Sequence, residues 1–121
     1  MSNLQKGSDN DFINVGYGLV PEWKKGPMRF LPYDGFRRMS TSPFMALTKR
    51  YLLLLMNNDA TDQGGVCCGD SGGAHFLVEN HQDLLVAITG LGDYVCRALI
   101  SNYRLDTPTA RSFLSQFVTV P

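Results

Sequence analysis

Charge of either sign is in no excess here: eleven basic and eleven acidic side chains cancel over 121 residues. That balance removes the electrostatic footprint by which a domain binds nucleic acid or an anionic membrane, so neither is expected as a partner. The basic doublets Lys24-Lys25, Arg37-Arg38 and Lys49-Arg50 are scattered, build no sustained patch and read as solvated. Long apolar runs are also lacking. The longest, Tyr51 to Met56, falls far short of the roughly 20 residues of a membrane-spanning helix and reads as a buried strand. Met1 to Asn10 is polar and has no apolar stretch of the kind that forms a secretory signal. Cysteine is scarce: Cys67, Cys68 and Cys96 allow one disulfide and leave one thiol over. Histidine is scarcer, with only His75 and His81.

What is present fits one globular domain with a modest core. Residues 1–11 form a polar N-terminal segment. Phe12 to Val20 is apolar, interrupted by Gly16 and Gly18, and reads as a strand running into a turn. Pro21, Gly26-Pro27 and Pro32 punctuate a loop-rich stretch to about Gly35. Phe36 to Ser42 and Phe44 to Met56 look extended, and Asn57 to Gly73, with five glycines, is the clearest long loop. Ala74 to Val78 and Leu84 to Thr89 are short β-prone runs separated by a turn over residues 79–83. Gly90-Leu91-Gly92 then breaks the pattern and Val95 to Leu105 resumes it. Strands at intervals of about ten residues predict an antiparallel sandwich or barrel. The end differs: Asp106 or Thr107 can cap a helix with Pro108 in its first turn, and Ala110, Phe113, Leu114 and Phe117 make one apolar stripe at helical period.

The segment that can carry chemistry is Gly64-Gly65-Val66-Cys67-Cys68-Gly69-Asp70-Ser71-Gly72-Gly73-Ala74. A serine hydroxyl attacks well only where its proton is taken up and the oxyanion formed on attack is stabilised. Backbone N–H groups at Gly69 and Ser71 can do the second task, with glycines letting the backbone bend and the substrate approach. A plain glycine-rich turn bearing an Asp-Ser pair reads the same string equally well. A metal site built from Cys67, Cys68, His75 and His81 is disfavoured, because adjacent cysteines do not match zinc-ligand spacing; no metal and no cofactor is expected.

Gly69-Asp70-Ser71-Gly72-Gly73 resembles the nucleophile signature of the chymotrypsin (trypsin-like) serine endopeptidases, with Ala74 where that family's consensus continues with Pro. Gly16-Tyr17-Gly18 resembles the Gly-Trp-Gly turn early in the family's second barrel, and Thr89-Gly90-Leu91-Gly92 its Thr-Ser-Trp-Gly substrate strand. Asn102 to Thr107 and the helix to Val118 resemble the close of bacterial-type members, so the resemblance spans residues 12–118 as the C-terminal half of a protease domain. It implies a six-stranded antiparallel Greek-key barrel with a C-terminal helix. It further implies Ser71 as nucleophile, oxyanion-hole N–H groups from Gly69 and Ser71, and Asp70 as the acid that shapes the oxyanion loop through a buried positive partner. A Cys67–Cys96 disulfide follows, with Cys68 left over, as does a neutral pocket lined by Gly65, Gly92 and Ser101 beside the strand Thr89 to Gly92. An uncharged pocket points to apolar or small side chains of a polypeptide substrate.

The family's general base and orienting aspartate lie in its first barrel, and nothing like an Ala-Ala-His-Cys stretch occurs here. His75 is expected as a strand residue unable to turn back to Ser71, and His81 as a solvated turn residue. Gly90 and Leu91 replace the serine that supports the orienting aspartate and the tryptophan of the pocket wall. The resulting expectation is the nucleophile half of a secreted serine endopeptidase, inactive by itself, whose partner is a separate N-terminal barrel and whose export signal lies elsewhere. The alternative is a non-catalytic barrel that binds peptides.

Overall fold

The computed structural model describes residues 11–22 and 29–120. Most of the polar N-terminal segment, Lys24-Lys25 and Gly26-Pro27 lie outside that range. Eight strands occur among the described residues: β1 (Asp11–Gly16), β2 (Pro21–Glu22), β3 (Arg29–Phe30), β4 (Arg38–Leu47), β5 (Tyr51–Leu55), β6 (Ala74–Glu79), β7 (Gln82–Gly92) and β8 (Leu99–Arg104). Two helices, α1 (Asn58–Thr61) and α2 (Pro108–Leu114), complete them. Six of the strands close a barrel in the order β1-β4-β5-β8-β7-β6, every pair antiparallel, while β2 and β3 form a two-residue ladder outside it. The expected six-stranded antiparallel barrel with a C-terminal helix is therefore the fold.

Period-2 patterning produces the core. Along β5, Leu52 and Leu54 are fully buried while Tyr51, Leu53 and Leu55 are only partly so. These leucines meet Phe12 of β1, Phe44 of β4, Leu77 of β6, Val86 and Ala87 of β7, and Ile100 of β8. Burying each such side chain stabilises the fold by about 1.5–3 kcal/mol relative to leaving it exposed.

Several boundaries differ from the sequence expectation. Phe36 to Ser42 and Phe44 to Met56 do not divide at residue 43: β4 runs on through Pro43 to Leu47, and the break falls at Thr48–Arg50. Thr48 makes that turn, its hydroxyl accepting from the Tyr51 N–H at 2.9 Å while its own N–H donates to the Tyr51 carbonyl at 2.8 Å. The turn between β6 and β7 is only Asn80-His81, both at positive φ (50° and 62°), as a type I′ hairpin turn requires. The stretch from Val95 is not yet strand. Asp93 closes a turn there, its carboxylate accepting from the N–H groups of Arg97 (2.8 Å) and Ala98 (2.9 Å) before β8 begins. Thr107 caps α2 by accepting from the Ala110 N–H at 3.2 Å, with Pro108 in the first turn, but the helix ends at Leu114 rather than Val118. Its stripe is not buried: Ala110 is, whereas Phe113 and Phe117 are 60% and 70% exposed and pack on each other with ring centroids 5.3 Å apart.

Gly90 does not end β7. The strand continues to Gly92 across a register shift between Thr89 and Leu91, a β-bulge against β8. A β-carbon at Gly90 would lie 2.6 Å from the Ser101 carbonyl oxygen. The glycine is thus demanded by the close approach of β8, whatever its history. Gly90→Ser is expected to lower stability by about 1–3 kcal/mol, the usual cost of overpacking. Equilibrium urea unfolding checks this, and an unchanged midpoint would refute the bulge argument.

Candidate functional site

The segment from Cys67 to Gly73, expected to carry the nucleophile, folds as two consecutive β-turns sharing Asp70. The Asp70 N–H donates to the Cys67 carbonyl at 3.0 Å, closing the first, and the Gly73 N–H donates to the Asp70 carbonyl at 2.8 Å, closing the second. The second central residues are Gly69 (φ 97°) and Gly72 (φ 81°), while Cys68 and Ser71 avoid positive φ; this is the type II pattern, for which glycine is the natural choice. Ser71 stands at the first central position of the second turn, exposed to solvent. Among the described residues, neither the Gly69 N–H nor the Ser71 N–H donates to any acceptor.

Asp70 fixes this loop to β1. One carboxylate oxygen accepts from the Gly18 N–H at 2.7 Å and the other from the Cys67 N–H at 2.8 Å. Gly16 and Gly18 make the space: a β-carbon at Gly16 would lie 1.8 Å from Asp70 Oδ1, and one at Gly18 would lie 2.5 Å from its Cγ. The Leu19 N–H adds a bond to the Cys68 carbonyl at 2.8 Å. The expectation of a buried positive partner for Asp70 is replaced by these two backbone amides. Sequence reasoning matched both segments but missed that they touch; the paired glycines across from an acid were the available signal.

The Cys67–Cys96 disulfide is formed and Cys68 is a free thiol, half-buried beside it. Cys96 is held at φ 56° within the turn that leads to β8.

Of the substrate-strand residues, Thr89 is spoken for. Its N–H donates to the Gly73 carbonyl at 2.8 Å and its carbonyl accepts from the Gly72 N–H at 2.9 Å, so its backbone has no group left for a peptide. Leu91 and Gly92 pair with β8 on one side only, after the bulge at Gly90; β6 leaves off opposite Ile88, and no described strand takes its place. Leu91, 76% exposed, forms no wall. The pocket expected between Gly65, Gly92 and Ser101 is filled at its base by Met56, which is almost fully buried. A β-carbon at Gly65 would lie 2.5 Å from Met56 Cγ, and one at Gly92 would lie 3.5 Å from Met56 Cε. A cleft of about 190 Å³ shares Gly65 and Met56 with the expected pocket but extends toward Gly16, Gly18, Ser40 and Asp70, and Ser71, Ser101 and the strand from Thr89 to Gly92 are not among its lining residues.

His75 faces the barrel interior and is fully buried. Its Nδ1 lies 2.7 Å from Asn14 Oδ1 and its Nε2 lies 2.8 Å from Thr89 Oγ1. The Asn14 amide group donates to Ser42 Oγ at 2.7 Å and Ser40 Oγ at 3.1 Å, and those hydroxyls donate in turn to the carbonyls of Gly64 (3.0 Å) and Gly65 (2.7 Å). Asn14 Oδ1 can only accept, so a neutral His75 carries its proton on Nδ1 and presents a bare Nε2 to the Thr89 hydroxyl, whose single proton is shared between that nitrogen at 2.8 Å and the Gly73 carbonyl at 3.3 Å. Both ring nitrogens are engaged, and the imidazole has none to offer Ser71. His81 is exposed in the hairpin turn, at the far end of the six-residue β6, about 20 Å of strand from the nucleophile turn. Cys67, Cys68 and Cys96 bring their sulfurs within 4.8 Å of one another, without either histidine.

No protein-family model matches the chain, and no curated protein matches it.

Burial pushes His75 down from its ordinary 6.5 to about 4. Between those values the unfolded chain takes up a proton that the folded one refuses, so the stabilisation is complete above about pH 6.5 and is lost as pH falls toward 4. The loss is expected to be on the order of 3 kcal/mol. Asp106, held low by the Arg104 guanidinium, acts in a separate and more acidic window, losing its contribution below its usual carboxylate range. Urea unfolding from pH 7.5 to 4 tests the histidine, with His75→Gln expected to flatten the profile. A wild-type stability independent of pH over that interval would refute the assignment.

Proposed function

We propose that this chain is the nucleophile-bearing half of a serine-type endopeptidase acting on polypeptide substrates, with Ser71 as nucleophile. The observation that carries the reading is the pair of Asp70-pinned turns, in which the Gly69 and Ser71 N–H groups have no acceptor among the described residues and the Ser71 side chain is exposed. When such a hydroxyl attacks a peptide carbonyl, the carbonyl oxygen becomes an anion, and two preorganised N–H donors stabilise it at no cost of reorganisation; removing one such donor typically slows the reaction about 10²–10³-fold. The open edge from Gly90 to Gly92 supports a substrate main chain added as an antiparallel strand. The packing of Met56 against Gly65 and Gly92 supports a preference for a small substrate side chain there.

The base comes from outside the described residues, because His75 is consumed by the barrel and His81 is remote. A second barrel carrying it is the expected partner. Tyr17, between the two glycines at Asp70, Ile88, opposite Ala74, and Leu91 are exposed apolar side chains flanking the turns, the kind of surface such a partner covers. An extracellular destination goes with this reading, and the disulfide fits an oxidising compartment. Among the described residues no helix is long and apolar enough to cross a membrane. The alternative, a barrel that binds peptides at the same edge without cleaving them, is favoured by the engagement of both His75 nitrogens.

Exogenous base separates the two. Incubated with an activated acyl ester and imidazole, the chain is expected to acylate at Ser71 about 100-fold faster than at its other exposed serines. Ser71→Ala should abolish the label, and Asp70→Asn should reduce it at least tenfold by releasing the loop. Mass spectrometry of the digested protein locates the acyl group. Label spread evenly over the serines, with Ser71→Ala no different, would overturn the catalytic reading and leave the binding barrel.

A further inference from the structure

The Cys68 thiol is used neither by the fold nor by the chemistry above. Its sulfur lies within 4.8 Å of both sulfurs of the adjoining disulfide. We propose that Cys68 is a thiol–disulfide exchange site, at which the bridge to Cys96 passes from Cys67 to its neighbour and back. The Cys68 thiolate attacks Cys96 Sγ; the Cys68–Cys96 bond forms as the Cys67–Cys96 bond breaks, and Cys67 leaves as a thiolate that takes up the proton Cys68 gave up. The step needs no oxidant or reductant. Attack on Cys67 instead would close an eight-membered ring around a single peptide bond, which a planar trans peptide resists. To reach bonding distance of about 2.05 Å the Cys68 sulfur moves less than about 3 Å, within the range of a side-chain rotation and a small turn shift.

The exchange bears on the nucleophile turn because these two residues build it. The Cys67 N–H holds Asp70, the Cys67 carbonyl closes the first turn, and the Cys68 carbonyl accepts from Leu19. Drawing Cys68 inward in place of Cys67 pulls on all three bonds and displaces the Gly69 N–H. The second isomer therefore has its oxyanion donors out of position. Only this consequence rests on the endopeptidase reading; the exchange itself does not.

The test is disulfide mapping of the intact chain, held at pH 8 with a trace of 2-mercaptoethanol, quenched in acid, and digested. Peptides carrying Cys68–Cys96 with a free Cys67 are expected beside those carrying Cys67–Cys96. Cys67→Ser should form the Cys68–Cys96 bridge outright, and Cys68→Ser should hold the first isomer alone. Acylation of Ser71 should be at least tenfold slower in Cys67→Ser than in Cys68→Ser. Maps containing Cys67–Cys96 only, after exchange with the added thiol has reached equilibrium, would overturn the proposal. If both isomers appear while Ser71 shows no selective acylation in any variant, the exchange stands and the endopeptidase reading falls.

Discussion

The Asp70 carboxylate is the contact on which the candidate site depends. Its two oxygens accept from backbone N–H groups on two segments, Gly18 after β1 and Cys67 at the start of the first turn. An ionised acceptor strengthens such bonds to roughly twice a neutral pair. Between residues 57 and 73 the chain has one short helix and no strand, so the position of the two turns rests on this clamp together with the disulfide and the bonds at the ends of the loop. With it, both turns inherit the position of β1, and so do the N–H groups of Gly69 and Ser71. Gly16 and Gly18 are the other half of the device, since any side chain there would occupy the carboxylate's place.

Behind the turns a second constraint runs through the barrel wall. The chain of bonds from Gly64 and Gly65 through Ser42 and Ser40, Asn14 and His75 to Thr89 crosses β4, β1, β6 and β7. Thr89 in turn binds Gly72 and Gly73 through its backbone. The two ends of the nucleophile loop are thereby tied to one buried polar line. Such a line is strong only when complete, because each unpaired member in a low-dielectric interior costs what its bond supplied. His75 therefore serves as a structural element, and the same engagement removes it from proton transfer.

Much of this was legible in the residues. Turn signals every ten positions predicted an antiparallel sandwich or barrel, which the resemblance narrowed to a six-stranded barrel, and Asp106 or Thr107 before Pro108 marked the start of α2, of which Thr107 is the cap. The end of β4 was missed because Phe44 to Met56 is mostly apolar and contains no glycine or proline; the turn falls on its one polar interruption, Thr48-Lys49-Arg50, where the Thr48 hydroxyl and N–H both bond to Tyr51. The fate of Phe113 and Phe117 was misread for another reason: a helical stripe says which side chains share a face, not whether anything covers it. The site was legible as a motif with a role attached, but not as geometry. The contact of Gly16 and Gly18 with Asp70 spans more than fifty residues of chain, and the Met56 filling between Gly65 and Gly92 joins three separate segments. Spacing along one segment carries no record of such meetings.

These constraints leave the molecule with an asymmetry. On the proposed endopeptidase reading, the oxyanion-stabilising half of the site is held from behind by the Asp70 clamp, the disulfide and the His75 line, whereas the proton-transferring half has no residue among those described. Stabilising an oxyanion needs only fixed backbone dipoles, which two type II turns supply locally. Moving a proton needs an imidazole with a nitrogen free and aimed at the hydroxyl, and the one histidine near Ser71 in sequence has both nitrogens committed to the barrel. Freeing His75 would break the line that ties the nucleophile loop to its wall. The fold therefore cannot convert its own histidine into a base without loosening the turns that hold Ser71, and any base the proposed reading calls for has to approach from the solvent side of Ser71.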